Sequence, residues 1–211
     1  MKTEIVSFYS DVDGGTYYSD HAKRLIKECE KFNLPYDIQE KPSLGTYQKN
    51  CLSKPQYIYN KLMEKRRPFV WLDIDTYILK EPVLFDTVMG QCDIAFASST
   101  GDLMGVKASP IVIQFNENAS MFLENWILNA QKTIELGANH FDHEPLFGLI
   151  AALAKKMKFG FLDEHYCVWP KNQTDSSVLM MGLSDVESKK ENLRKMGMSE
   201  GKIEWQSTGT I

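Results

Sequence analysis

Short apolar runs rich in β-branched and aromatic residues alternate along this chain with longer stretches in which apolar residues return every three or four positions. The first run, EIVSFYS, is β-branched and aromatic and is followed by the turn-forming DVDGGT. From Tyr18 to Phe32, the residues Ala22, Leu25, Ile26 and Cys29 share one helical face. LPYDIQEKP reads as a second strand. KPQYIYNKLMEKRR reads as a helix that opens at Pro55, a residue suited to the first helical position, and closes on a basic cluster that complements its C-terminal dipole. PFVWLDIDTYIL has strand propensity along its length, as do CDIAFASS and ASPIVIQFN.

Beyond these, ENASMFLENWILNAQKTIEL predicts an amphipathic helix and HEPLFGLIAALAKK a more buried one packed through alanine. KFGFLDEHYCVWP predicts a late strand with an irregular end. SDVESKKENLRKMG predicts a charged helix with a Ser or Asp cap and a stop at Gly197. Strands alternating with helices specify an α/β layered domain with a mixed, mainly parallel central sheet flanked by helices. No repeat, linker or low-complexity tract interrupts the 211 residues, so a single domain over 1–211 is expected.

Composition changes this picture little. With 43% hydrophobic and 25% charged residues, the chain is ordinary for a globular protein and long enough for a full core. A net charge of -4 excludes a uniformly basic surface but not a local basic groove. The opening MKTEIVSFYS has too short an apolar run for a signal peptide, and no stretch is long enough to span a bilayer. Cys29, Cys51, Cys92 and Cys167 lie far apart with no C-x-x-C pair, the pattern of reduced thiols, and a cytoplasmic setting without membrane attachment is expected.

The candidate chemistry sits in DID. On a strand, residues two apart share a face with α-carbons about 7 Å apart, so Asp73 and Asp75 are expected to converge where the strand leaves the sheet. Ligands of open α/β sheets gather there. Two converging carboxylates offer hard oxygens to Mg²⁺ or Mn²⁺, which commonly bridge to phosphate; two solvated aspartates at a strand end need no ligand at all. A phosphatase of the haloacid-dehalogenase type would use such a doublet within Asp-x-Asp-x-Thr. Here Thr76 falls one position early, Tyr77 stands where the Thr belongs, and TGDLMG lacks the second acidic residue.

A wider resemblance covers most of the chain in order. SKPQYIYNKLMEKRRPFVWLDIDTYILKEP resembles the core of the GT-A nucleotide-diphospho-sugar transferases, in which a Lys-Pro helix, an apolar strand, Asp-x-Asp and a later Pro follow one another. FYSDVDGGTYYSDHAKRL resembles that family's first strand and helix. NHFDHEPLFGLIAAL is similar to its Asp-Gln-x-x-Leu helix, with His143 in place of Gln, and FLDEHYCVWP resembles the strand before its C-terminal segment. The resemblance implies a GT-A-like (Rossmann-like) fold and a metal-dependent glycosyltransferase. A nucleoside-diphosphate sugar, UDP-linked, would be the donor, and Mn²⁺ or Mg²⁺ the cofactor.

It also implies roles. Asp75 would bind the metal directly; Asp73 would contact the ribose and the metal through water. Tyr9 and Ser10 would lie near base and ribose, with Tyr17 as a stacking candidate. Lys54 matches the lysine before Pro and would approach the donor, unless it is merely solvated. Asp142 and Glu144 would face sugar and acceptor as catalytic carboxylates, although carboxylates at a helix start also simply favour its dipole. The family's C-terminal His is missing from SVLMMGLSD, whose Met180 and Met181 are poor ligands for these cations. Asp185 would substitute if the tail folds back, His165 is expected to be structural, and Trp126 and Trp169 to be core or pocket wall. A degenerate domain that binds nucleotide sugar without catalysis fits the altered motif, while intact DID and DHE argue against it. Similar small phage transferases modify hydroxymethylated pyrimidines in DNA, so such DNA is one expected acceptor and a glycan the other. Lys61, Lys65, Arg66 and Arg67, with Lys155, Lys156 and Lys158, are the candidate phosphate contacts.

Overall fold

The computed structural model describes residues 2–11 and 16–182. The helix expected over 184–197, its stop at Gly197, the candidate Asp185 and most of the DVDGGT turn lie outside the described residues.

Six strands form the central sheet: β1 (Ile5–Tyr9), β2 (Tyr36–Glu40), β3 (Phe69–Trp71), β5 (Ile94–Ser98), β6 (Val106–Ile113) and β7 (Phe159–Phe161), in the order β2-β1-β3-β6-β5-β7. The pairs β1–β2, β1–β3 and β5–β7 are parallel, and only β6 runs against its neighbours β3 and β5. The sheet is therefore mixed and mainly parallel, with helices on both faces, as the alternation of patterns predicts.

Period-two alternation builds the two faces. Val6, Phe69, Trp71, Ile94, Phe96, Ile111 and Ile113 point to one side, where α3 (Lys54–Lys65), α5 (Glu117–Glu135) and α6 (Leu146–Leu153) supply Ile58, Leu62, Phe122, Trp126 and Ile150. Their strand neighbours Ile5, Val70, Ala95 and Val112 point to the other, against Ala22, Leu25 and Cys29 of α1 (Tyr17–Lys31) and Phe85 of α4 (Leu84–Val88). A short helix that the pattern does not predict, α2 (Tyr47–Leu52), is capped by Thr46, whose side chain accepts from Lys49 N.

Several boundaries differ from the expectation. The Lys-Pro helix opens at Lys54, placing Pro55 one position inside, where its missing N–H still costs nothing. The buried helix starts at Leu146, because residues 142–145 form turns. The run PFVWLDIDTYIL is not one strand: β3 stops at Trp71. Leu72 N still donates to Val6 O (3.1 Å), but Asp73 N donates to Ser109 Oγ (2.8 Å) and Thr76 N returns to Asp73 O (2.9 Å), closing a turn. Carboxylates inside a sheet buried on both faces would be stranded from water, and the turn carries them out at its edge. The chain then forms β4 (Tyr77–Ile78), which pairs antiparallel with β8 (Leu179–Met180) in a separate two-stranded sheet.

Candidate active site

From β1 the chain moves outward to β2, then returns on the other side of β1 as β3. Strand order reverses at β1/β3, and a crevice forms beyond their carboxyl ends. A pocket of about 120 Å³ lies there, lined by Phe8, Tyr9 and Ser10 after β1, Trp71, Asp73, Ile74 and Asp75 after β3, Tyr18 of α1, Tyr47, Asn50 and Cys51 of α2, and Lys54 of α3. That volume holds several water-sized groups.

Lys54 is the hub. Its side chain is 9% exposed, and its ammonium lies 2.7 Å from Asp73 Oδ1 and 2.5 Å from Asp142 Oδ2. The solvated lysine is thereby overturned. Burial would lower the pKa of this ammonium, but Asp142 and Asp73 outweigh burial and hold it well above the ordinary lysine value. Asp73 Oδ1 also accepts from Trp71 Nε1 (2.9 Å). Burial pushes the Asp73 carboxyl above the usual carboxylate range; Lys54 opposes this, and Asp142 and Asp75 add to it.

Asp142 is buried, and its backbone oxygen accepts from Trp126 Nε1 (2.7 Å), so α5 pins the turn that presents it to Lys54. Glu144 does not join it. Its side chain is exposed, pairs with His140 and does not line the pocket. Trp126 is core, whereas Trp169 is 41% exposed. His165 lies on the helical turn Glu164–Tyr166 and not in the pocket lining.

Asp75 contrasts with Asp73. Among the described residues it has no ion pair and accepts no side-chain hydrogen bond. Its charge is felt around it: burial first and Asp75 second raise the Tyr17 and Tyr18 phenols above their usual value, keeping both as neutral donors. Tyr17 is half-buried against Tyr18 and His21, with ring centroids 4.9 and 4.7 Å away, and its hydroxyl has no hydrogen-bond partner among the described residues. From the C-terminal side Asp75 is met by Gly182, where a Cβ would collide with the Asp75 backbone oxygen and side chain. Met180 is absorbed in β8, and Met181 N donates to Val168 O.

The expectation thus finds Tyr9, Ser10, Lys54, Asp73 and Asp75 lining one pocket, with Asp142 tied to it through Lys54. Sequence reasoning missed Tyr18, Tyr47, Asn50 and Cys51. Tyr47 and Cys51 share a helix face at i and i+4, a signal hidden in a segment too short to show periodicity.

No cluster of three or more His, Cys, Asp or Glu arranged around a common point occurs among the described residues. The donors present nonetheless suit a hard divalent cation. Asp73 and Asp75 both line the pocket, Asp73 paired with Lys54 and Asp75 without an ion pair among the described residues, and Mg²⁺ is commonly held by one or two carboxylates, with phosphate oxygens and water completing its shell.

Of the cations expected to meet DNA, three in the first cluster are engaged within the fold. Lys61 and Lys65 are buried in ion pairs with Asp37, at 3.0 and 2.7 Å, and Lys65 and Arg67 pair with Glu4. Lys155, Lys156 and Lys158 precede β7, which runs parallel to β5 and, across β6, to β3, so they lie at the opposite end of the sheet from the pocket. No helix among the described residues is long and apolar enough to cross a membrane.

No protein-family model matches this sequence, and no curated protein matches it. Among solved structures it is similar to that of a glycosyltransferase involved in the glycosylation of the major capsid of PBCV-1. The TM-score is 0.67 and the identity 10%, covering 94% of this chain and 100% of that one. At this identity the likeness is one of fold.

Proposed function

We propose that the protein transfers a sugar from a nucleoside-diphosphate sugar, uridine-linked, to an acceptor hydroxyl, with Mn²⁺ or Mg²⁺ held by Asp75 and the diphosphate. The observation that carries this reading is a pocket lined by Lys54, Asp73 and Asp75, with Asp142 paired to Lys54 behind it, in a crevice where strand order reverses. The fold shared with a viral glycosyltransferase supports it.

The aromatic faces of Tyr9, Tyr18 and Tyr47 suit a nucleobase. Asp73 Oδ1 is committed to Lys54 and Trp71, which leaves Oδ2 for a ribose hydroxyl or the hydration shell of the cation. When bound, the cation acts as a Lewis acid on the diphosphate and stabilises the charge of the departing nucleotide. Lys54 adds a fixed positive charge to the same pocket at no cost of reorganisation. Asp142, held through its backbone by Trp126 and through Oδ2 by Lys54, presents its other oxygen to sugar or acceptor hydroxyls.

For the acceptor, the charge layout favours a saccharide hydroxyl over duplex DNA. Non-specific DNA affinity comes from cations free to replace counterions, and Lys61, Lys65 and Arg67 already neutralise carboxylates of this fold. Labelled UDP-sugars incubated with Mn²⁺ and three acceptors test both levels: free sugars, hydroxymethylcytosine-containing DNA and unmodified DNA. Label on a free sugar supports the reading in full. Label on modified DNA alone keeps the transferase and overturns the saccharide acceptor. No transfer and no hydrolysis of any donor, with no metal-dependent nucleotide binding, refutes the enzyme.

A further inference from the structure

The turn that carries Asp75 is weakly supported by the sheets. Central-sheet hydrogen bonding ends at Leu72, and β4 is a two-residue strand whose partner β8 is equally short. What holds the turn is a side chain from α1. Arg24 Nη1 donates to Thr76 O (2.9 Å) and Nη2 to Ile74 O (3.4 Å), the carbonyls on either side of Asp75. Its guanidinium stacks on Tyr77, 3.6 Å from the ring centroid. Glu28, one helical turn on, accepts from Arg24 Nη1 (2.9 Å) and from Ile78 N (2.8 Å) with the same oxygen, Oε2.

Four contacts therefore fasten residues 74–78 to one face of α1, and none of them uses the Asp75 side chain. The carbonyls bracketing a residue report its backbone orientation, and that orientation sets where its carboxylate points. A planar fork with donors in fixed directions suits this task; a single ammonium cannot reach both carbonyls with the same geometry.

We propose that Arg24, oriented by Glu28, is a positioning residue for cation binding: it fixes the Asp75 turn so that the carboxylate faces the nucleotide pocket before any ligand arrives. This rests on the nucleotide-sugar reading above. Groups that orient a metal ligand from behind typically carry 10–100-fold of the metal affinity.

The test is Mn²⁺ binding to the full chain, followed by electron paramagnetic resonance of free Mn²⁺ in the presence of UDP. Wild type, Arg24→Met and Arg24→Lys are compared, with each thermal midpoint measured in parallel. In Arg24→Met the Mn²⁺ Kd rises about 10–100-fold, and in Arg24→Lys, which keeps the charge but not the fork, it rises by a smaller factor. A merely structural role would lower the thermal midpoint and leave the Kd of the folded protein unchanged. Folded Arg24→Met with a Kd within about twofold of wild type overturns the proposal. If Arg24→Met does not fold, Arg24→Lys decides: wild-type affinity overturns the proposal and weakened affinity supports it. Absence of UDP-dependent Mn²⁺ binding in the wild type refutes the underlying function instead, which separates the two failures.

Discussion

Replacing Lys54 by methionine removes the ammonium, which lies 5.9 Å from the Trp71 ring centroid, and keeps an unbranched apolar side chain. Lys54 and Asp142 have side chains only 9% and 8% exposed, so the substitution strands a buried carboxylate; Asp73, 31% exposed, is better screened and contributes less. Breaking a buried pair by removing one partner costs about 3–5 kcal/mol. For a chain of this size, that lowers the thermal midpoint by about 6–20 °C. The pH dependence identifies the cause. The pKa of Lys54 is raised above its unfolded value, so its contribution is complete throughout the range below about pH 10 and cannot vary between pH 5 and 7.

Asp73, already held above the usual carboxylate range by burial, loses the opposing influence of Lys54 in the variant. The native variant therefore binds more protons than its unfolded chain below neutrality, and acid stabilises it relative to wild type. Urea unfolding at pH 7 and pH 5 should show a gap between the proteins that is largest at pH 7 and narrows at pH 5. Lys54→Met/Asp142→Asn should recover much of the loss, since a neutral amide needs no counter-charge. A Lys54→Met protein as stable as wild type at pH 7, or a gap unchanged between the two pH values, would refute the buried charge cluster.

Asp75→Asn is expected to abolish cation-dependent nucleotide binding while leaving the thermal midpoint near wild type, because among the described residues Asp75 has no ion pair to lose; calorimetric titration of UDP with and without Mn²⁺ checks this. Wild type at a hundred times its nucleotide Kd should gain about 2.7 kcal/mol of stability, a gain absent in Asp75→Asn. Asp142→Asn should lower kcat and kcat/KM together with little change in nucleotide affinity, as expected of a contact made in the transition state. Glu144→Gln, altering an exposed residue outside the pocket, should leave both near wild type in the same steady-state assay. Gly182→Ala forces a Cβ into Asp75, so a stability cost of about 1–3 kcal/mol should accompany weaker Mn²⁺-dependent nucleotide binding, read by thermal shift and calorimetry on the same samples.

The sequence by itself determined the layers. Near-continuous apolar runs in IVSFY, FVW and IAFAS require strands buried on both faces, and the helical spacing of Ala22, Leu25 and Cys29 requires one apolar face on α1. It also marked the two aspartates, because like charges at the end of an apolar run demand an explanation that composition cannot supply. Alternation with helices set the mainly parallel sense of the sheet, but which strand departs from it was outside its reach: a strand pattern reads the same in either sense, so nothing in SPIVI announced that β6 runs against its neighbours.

Only the tertiary structure decided which charges meet. Lys54 and Asp142 are far apart along the chain, and no local pattern shows that α3 and the turn before α6 close on one point. KLMEKRR reads as a basic surface until Asp37 and Glu4, from other segments, arrive to neutralise it. The position of Asp75 likewise depends on Arg24, fifty residues before the Ile74 carbonyl that it holds. Hydrophobic periodicity is a local property, legible along the chain. Electrostatic pairing depends on distance in space, which the chain acquires only by folding.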